Sequence, residues 1–155
     1  MEALPLTLDD VIRFLRTQTL GVVATTETDG QPQAAMVGIA VTDQCELIFD
    51  SVASSRKVQS LRRDSRVAVV IGGTMTDERT VQVDGVADEP AGTELERIRD
   101  AYFQRYPDGR DRLAWPGITH VRVRPRWLRY SDFNQSPPVV VEAAVDTEGT
   151  LRFPQ

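Results

Sequence analysis

The stretch "LGVVATTETDGQPQAAMVGIAVT" constrains the fold of this 155-residue chain more than any other. Two runs with strand composition flank Asp29-Gly30, and an Asp-Gly pair so placed is the strongest short-range hairpin signal. Strand-like segments keep recurring after it. "CELIFDS" reads as a third strand, joined through the polar turn Thr42-Asp43-Gln44, and "RVAVVIGG" as a buried strand. "RTVQVDGVADE" alternates through Val81 and Val83 until Gly85, where a bulge or bend is expected. "ITHVRVRPRWLRYSDF" alternates again as a long last barrel strand, and "PPVVVEAAV" fits one more edge strand.

Three helices interrupt the series. In "TLDDVIRFLRTQ", Thr7 suits the N-cap, Asp9 and Asp10 suit the first turn, and Leu8, Val11, Ile12 and Leu15 share one face. A short helix follows Ser54-Ser55, with Val58 and Leu61 facing inward. "GTELERIRDAYFQRYP" places Leu95, Ile98 and Tyr102 at helical spacing and stops at Pro107. So many consecutive strands and so few helices argue against a doubly wound parallel sheet. They predict a mainly β, α+β fold, a small antiparallel barrel flanked by helices. No repeat or linker divides the chain, so a single domain over 1–155 is expected.

Composition narrows the chemistry. A net charge of −5 argues against a nucleic-acid surface, and no apolar run reaches the roughly 20 residues that span a bilayer. With one cysteine, Cys45, and one histidine, His120, neither an intrachain disulfide nor a Cys/His zinc site is expected. The N-terminus lacks the pattern of a signal peptide, which makes a cytoplasmic location the expectation.

The candidate site lies in "FDSVASSRKVQSL", which holds Lys57, the only lysine among the 18 Lys and Arg residues. A strand ends near Asp50-Ser51 and a helix starts near Ser55, so Arg56 and Lys57 stand where the helix dipole disfavours cations. Unpaired N–H groups, serine hydroxyls and two cations together suit a bound anion such as phosphate. The alternative is a solvated helix face that continues into Arg62 and Arg63.

The order "GVVATTETDGQPQAAMVGIAV…ELIFDSVASSRKVQSLRRDSRVAVVI…RTVQVDGVA" resembles the pyridoxamine 5′-phosphate oxidase-like superfamily of FMN-binding split β-barrels. The likeness covers a core of about 8–133 and leaves 134–155 as an extension. It implies a six-stranded antiparallel split barrel that binds FMN and passes hydride or electrons to or from a small molecule. It also implies a homodimer with flavin sites at the interface. By the same resemblance Ser55, Arg56 and Lys57 hold the flavin phosphate, and Asp50 and Ser51 border the phosphate and ribityl chain. Met36 and Val37 lie along the ring, and Arg79, Thr80 and Gln82 reach the ribityl or ring edge. Trp115 and Trp127 read as core or interface aromatics, with shielding of the flavin ring from a partner subunit as the alternative for one of them. The chain departs from the vitamin enzymes at Ala35, where they carry a second phosphate-binding arginine, and at Asp50, where they carry an aromatic. Their C-terminal substrate motif is also missing, so pyridoxamine phosphate oxidase activity itself is not expected. A deazaflavin-dependent reductase and a non-catalytic flavin-binding protein are the alternatives on the same fold.

Three further features were weighed. His120, at the start of an alternating strand, reads as structural or surface rather than as a proton donor. Arg122, Arg124 and Arg126 alternate with Val121, Val123 and Pro125 and so share one strand face, which suits solvation or dimer salt bridges better than an anionic substrate or nucleic acid. Cys45 sits beside a turn with no local base, so a redox role is not expected.

Overall fold

In the computed structural model, which describes residues 5–154, helix α1 (Leu8–Leu15) starts at the expected cap. Thr7 Oγ1 accepts from the Asp10 N–H, and the Asp10 carboxylate accepts from the Thr7 N–H. This capping box satisfies two donors that a helix start leaves unpaired. Strands β1 (Leu20–Thr26) and β2 (Pro32–Gly38) form the hairpin, with Gly30 at φ 86° where the turn needs a left-handed residue.

With a two-residue strand after β2, a 3₁₀ segment and a two-residue last strand added, the remaining elements keep the expected order. They are β3 (Ala40–Val41), β4 (Leu47–Val52), α2 (Arg56–Arg63), β5 (Arg66–Gly72), β6 (Arg79–Asp88) and α3 (Gly92–Arg105), then a 3₁₀ segment (Pro107–Ala114), β7 (Ile118–Asp132), β8 (Val139–Val145) and β9 (Leu151–Arg152). Every strand pair is antiparallel, and the sheet runs β2-β1-β5-β6-β7-β4-β3. The six long strands of this path match the expected barrel, and the sheet has nine because β3 is added at one end and β8 and β9 hang from β7. The path is not closed by a strand pair: β2 and β3 are its two ends, and the chain itself joins them through Ile39.

Two apolar cores explain the sequence pattern. Val23, Val69, Val81, Val83, Phe49, Val123 and Leu128 fill the interior, and Val11, Ile12, Phe14 and Leu15 of α1 plug it. Outside the barrel, Ile98, Tyr102 and Phe103 of α3 pack on Ala40 and Ile48. Strand β4 is thus buried on both faces, which is why "LIF" reads as an unbroken apolar run.

Beside that outer core lies a buried ion cluster. Arg122 donates to Asp88 at 2.9 and 2.6 Å, to Glu46 at 3.2 Å and to Glu94 at 2.6 Å. Arg97 bridges the same Glu46 and Glu94. Burial opposes ionisation of Glu46, but hydrogen bonds from Arg97 and Thr42 hold its carboxyl below the ordinary range. The three-arginine stripe expected on β7 is broken by the register. Asp84 opposes Trp127 and Gly85 opposes Pro125, so Arg126 is an extra residue and the side chains change phase there. Arg126 therefore leaves the stripe, while Arg122 and Arg124 keep one phase and both reach Asp88, Arg122 buried and Arg124 exposed.

Arg122 and Glu46 are both less than a tenth exposed, and removing Arg122 takes two charge-assisted hydrogen bonds from Asp88 and leaves Glu46 with Arg97 and Thr42. Arg122→Ala should cost about 1.5–3 kcal/mol of unfolding free energy, read as a lower urea midpoint, whereas Arg124→Ala should cost less than about 1 kcal/mol.

Candidate functional site

Ser55 caps α2 by accepting the Val58 N–H at 3.4 Å, and Ser51 donates its hydroxyl to Ser55 at 3.0 Å. The next two side chains, Arg56 and Lys57, line a cleft of about 280 Å³ with Thr25, Gln33, Ala34 and Ala35 of the β1–β2 hairpin. Two alanines where a longer side chain could stand leave this cleft open. The first turn of α2 has no acidic residue, so its dipole and both cations act with the same sign. Glu27 partly offsets them: it accepts from Arg56 at 3.3 Å and from Arg63 at 3.4 Å. Lys57 pairs with no carboxylate among the described residues.

The cleft lies at one end of the β1–β2 hairpin, where Thr25, Gln33 and Ala35 share the inward phase and Ala34 belongs to the barrel's outer face. Antiparallel register sets Met36, Val22, Val70, Gln82, Arg129 and Glu142 in one row across six strands. Ala34, Ala24, Ala68, Asp84, Trp127 and Ala144 form the next row. Met36 is 65% exposed and Leu20 52%, and the alanines in the row beyond Met36 give a low, apolar shelf. The expected ring and edge residues Met36, Thr80, Gln82 and Trp127 all belong to this face, and Ser51, Ser55, Arg56 and Lys57 gather around the start of α2. Val37 points inward and is buried, so only its peptide reaches the outer side.

Two expected residues go elsewhere. Asp50 follows Ile48 toward α3, on the face of β4 opposite Ser51, and there Arg112 donates to it at 2.6 Å. Arg79 shares the inward phase of β6, pairs with Asp77 at 2.9 and 2.6 Å, and stands 4.7 Å over the Phe14 ring. Neither side chain joins the cleft. Glu27 is the site residue that sequence reasoning missed, because it faces α2 from the hairpin turn, 29 positions away from Arg56.

The remaining candidates have structural surroundings. Trp127 donates to Glu142 at 3.4 Å and carries the Arg129 guanidinium 5.3 Å from its ring. Trp115 is half exposed beside the Ala53–Gly117 backbone bond. Burial pushes the Cys45 thiol up to about 12, which makes it inert at neutral pH. His120 is buried edge-on to Tyr102 and Phe103, and its Nε2 has no partner. No group of three or more potential metal ligands occurs among the described residues. None of their helices is long and apolar enough to cross a membrane.

This combination of an antiparallel split barrel and a cationic helix start defines a class, and comparison with known proteins agrees. The family model for pyridoxamine 5′-phosphate oxidase matches residues 8–132, and the chain belongs to that family. Among solved structures, a pyridoxamine 5′-phosphate oxidase-related, FMN-binding protein from Nostoc punctiforme is similar over 99% of this chain and 98% of its own. Its TM-score is 0.76 at 12% identity. A conserved hypothetical protein from Mycobacterium tuberculosis is 28% identical over 83% of this chain and 86% of its own, with a TM-score of 0.68. A heme-binding protein from Mycobacterium smegmatis gives a TM-score of 0.75 at 18% identity; the similarity covers 89% of this chain but only 59% of that one. No curated protein sequence matches.

Burial is the main cause that lowers the pKa of His120 below its ordinary 6.5; Asp50 opposes the shift, and Arg99 and Arg112 add to it. The unfolded chain therefore takes up a proton before the folded one does, and stability should fall as pH drops below 6.5. Thermal unfolding at pH 7.5 and 5.5 should show this loss in the parent and a smaller one in His120→Asn, since the chain has no other histidine.

Proposed function

We propose that the chain binds FMN on its outer sheet face as a homodimer and acts as a flavin-dependent oxidoreductase on a small molecule. The observation that carries the reading is the cleft of Arg56 and Lys57, which reaches the apolar shelf of β1, β2 and β5 through Ala34. A flavin mononucleotide has the matching polarity, a dianionic phosphate at one end and a flat apolar ring at the other. Arg56, Lys57 and the free N–H groups of α2 would hold the phosphate, with Ser51 and Ser55 beside them. Met36 and the Val37 peptide would support the ring, and Thr80 and Gln82 present a hydroxyl and an amide to its edge. When bound, FMN supplies hydride and single-electron chemistry. The protein's part is to orient the ring, place hydrogen bonds at its edge and exclude water.

A second copy of the chain is the natural cover for the exposed Met36, Leu20 and Val70. Similarity to a heme-binding protein favours heme less. The usual protein ligands of heme iron are histidine and thiolate, and the single histidine and single cysteine are both buried away from this face, which leaves only the weaker thioether of Met36 on it. A deazaflavin fits the same charge pattern, so it belongs in the test.

Purified protein should show flavin absorbance or quench the fluorescence of added FMN, and sediment at about twice 17.3 kDa. Arg56→Ala with Lys57→Ala should abolish that binding while leaving the fold intact by circular dichroism. Failure to bind FMN with uptake of a deazaflavin would replace the cofactor; failure with both would refute the proposal. Glu27→Gln should tighten FMN binding about two- to fivefold, because it removes the carboxylate that competes for Arg56 in an exposed pair.

A further inference from the structure

We propose that the groove between α1, β3 and α3 is a second small-molecule site, built for a zwitterion whose amine and carboxylate are separated by an apolar spacer. The groove encloses about 670 Å³, within the usual range for ligand pockets, and lies apart from the cleft at α2. Its α3 wall is the stripe Arg97, Asp100, Ala101, Gln104 and Arg105, spaced three and four apart and so on one side of the helix. Leu15, Ile39 and Val41 supply apolar surface opposite and below.

Charge bookkeeping within the groove singles out two residues. Arg16 is engaged by Asp43, and Arg97 by Glu46 and Glu94. Asp100 and Arg105 have no ion-pair partner among the described residues. Arg105 is held in place all the same: its Nη2 donates to the Gln18 carbonyl at 3.2 Å, and its guanidinium stands 5.3 Å from the Tyr106 ring. Its Nε is buried with no acceptor. A cation that is fixed, partly desolvated and without a counter-charge is a preorganised anion receptor, since little further ordering is needed when the anion arrives. Asp100 is exposed at the groove wall and can take an ammonium. Five residues at 1.5 Å each separate the two along α3 by about 7.5 Å, a span that a chain of methylenes can cover over Ala101. The proposal stands whether or not a flavin binds the outer face.

The probes are ε-aminocaproate, caproate and hexylamine, titrated against the full-length protein and followed by amide chemical shifts. ε-Aminocaproate should give saturable shifts confined to Ile39–Gln44 and the stripe of α3, and bind about three- to fivefold tighter than either single-charge probe. Asp100→Asn should reduce it to the affinity of caproate, and Arg105→Gln should weaken both carboxylates about tenfold, with dispersed spectra showing that both variants fold. Absence of saturable shifts to millimolar concentration, equal binding of caproate and ε-aminocaproate, or unchanged affinity in a folded Arg105→Gln variant would each overturn it. If Arg105→Gln does not fold, the exposed Asp100→Asn decides the matter alone, because loss of the preference for the zwitterion is a result only this site predicts.

Discussion

Strand β7 is the constraint on which the rest of the sheet depends. One edge pairs with β6 along nearly its whole length, while the other serves β4 up to Val123 and β8 from Trp127 onward. The exchange falls at Arg124–Arg126, where Pro125 has no N–H to donate and so suits a break in the ladder. Across from it, a Cβ on Gly85 would stand 2.5 Å from the Arg124 carbonyl oxygen, so only glycine lets the two strands approach this closely. Because Arg126 is in excess, the inward set passes from Val121 and Val123 to Leu128 and Tyr130. One strand can then deliver Arg122 to the ion cluster beneath α3 and Trp127 to the open face.

That change of phase marks the limit of what the sequence made legible. Thr7, the Asp29-Gly30 turn and the apolar spacing of α1 and α3 act within one or two turns of chain, and local chemistry was enough to read them. The succession of strands along the chain and the placing of Ser55, Arg56 and Lys57 at a helix start were likewise readable. What was not readable depended on partners far away. Asp50 looked like a neighbour of Ser51, yet alternate residues of a strand face opposite ways, and Arg112 waits 62 positions downstream. Arg79 looked available until Asp77 and Phe14 were seen to occupy it. The three arginines of β7 looked like one stripe because a bulge leaves no mark on the bulged strand beyond its proline.

The start of α2 holds an electrostatic tension that the fold keeps rather than relieves. A helix start favours anions, yet this one carries Arg56 and Lys57, and its only nearby carboxylate, Glu27, is shared between Arg56 and Arg63. Exposed pairs of this kind contribute less than about 1 kcal/mol, so Glu27 restrains Arg56 without neutralising the cleft. By contrast, the cluster around Arg122 is buried and saturated. The two groups of charges divide the work: one fixes α3 against the sheet, and the other keeps a positive opening beside an apolar shelf.

The passage of the chain through Ile39 has a further consequence for behaviour in crowded solution. An open sheet presents bare strand edges to other molecules, and such edges template polymerisation. Here the two ends of the main path, β2 and β3, are consecutive pieces of one continuous segment, so the chain itself bridges the seam. A bare edge remains on β8, because β9 pairs only with Ala144 and Val145 and leaves residues 139–143 without a partner on that side among the described residues. A strand added from another molecule would extend the C-terminal branch there, so the place to guard against polymerisation lies outside the barrel path.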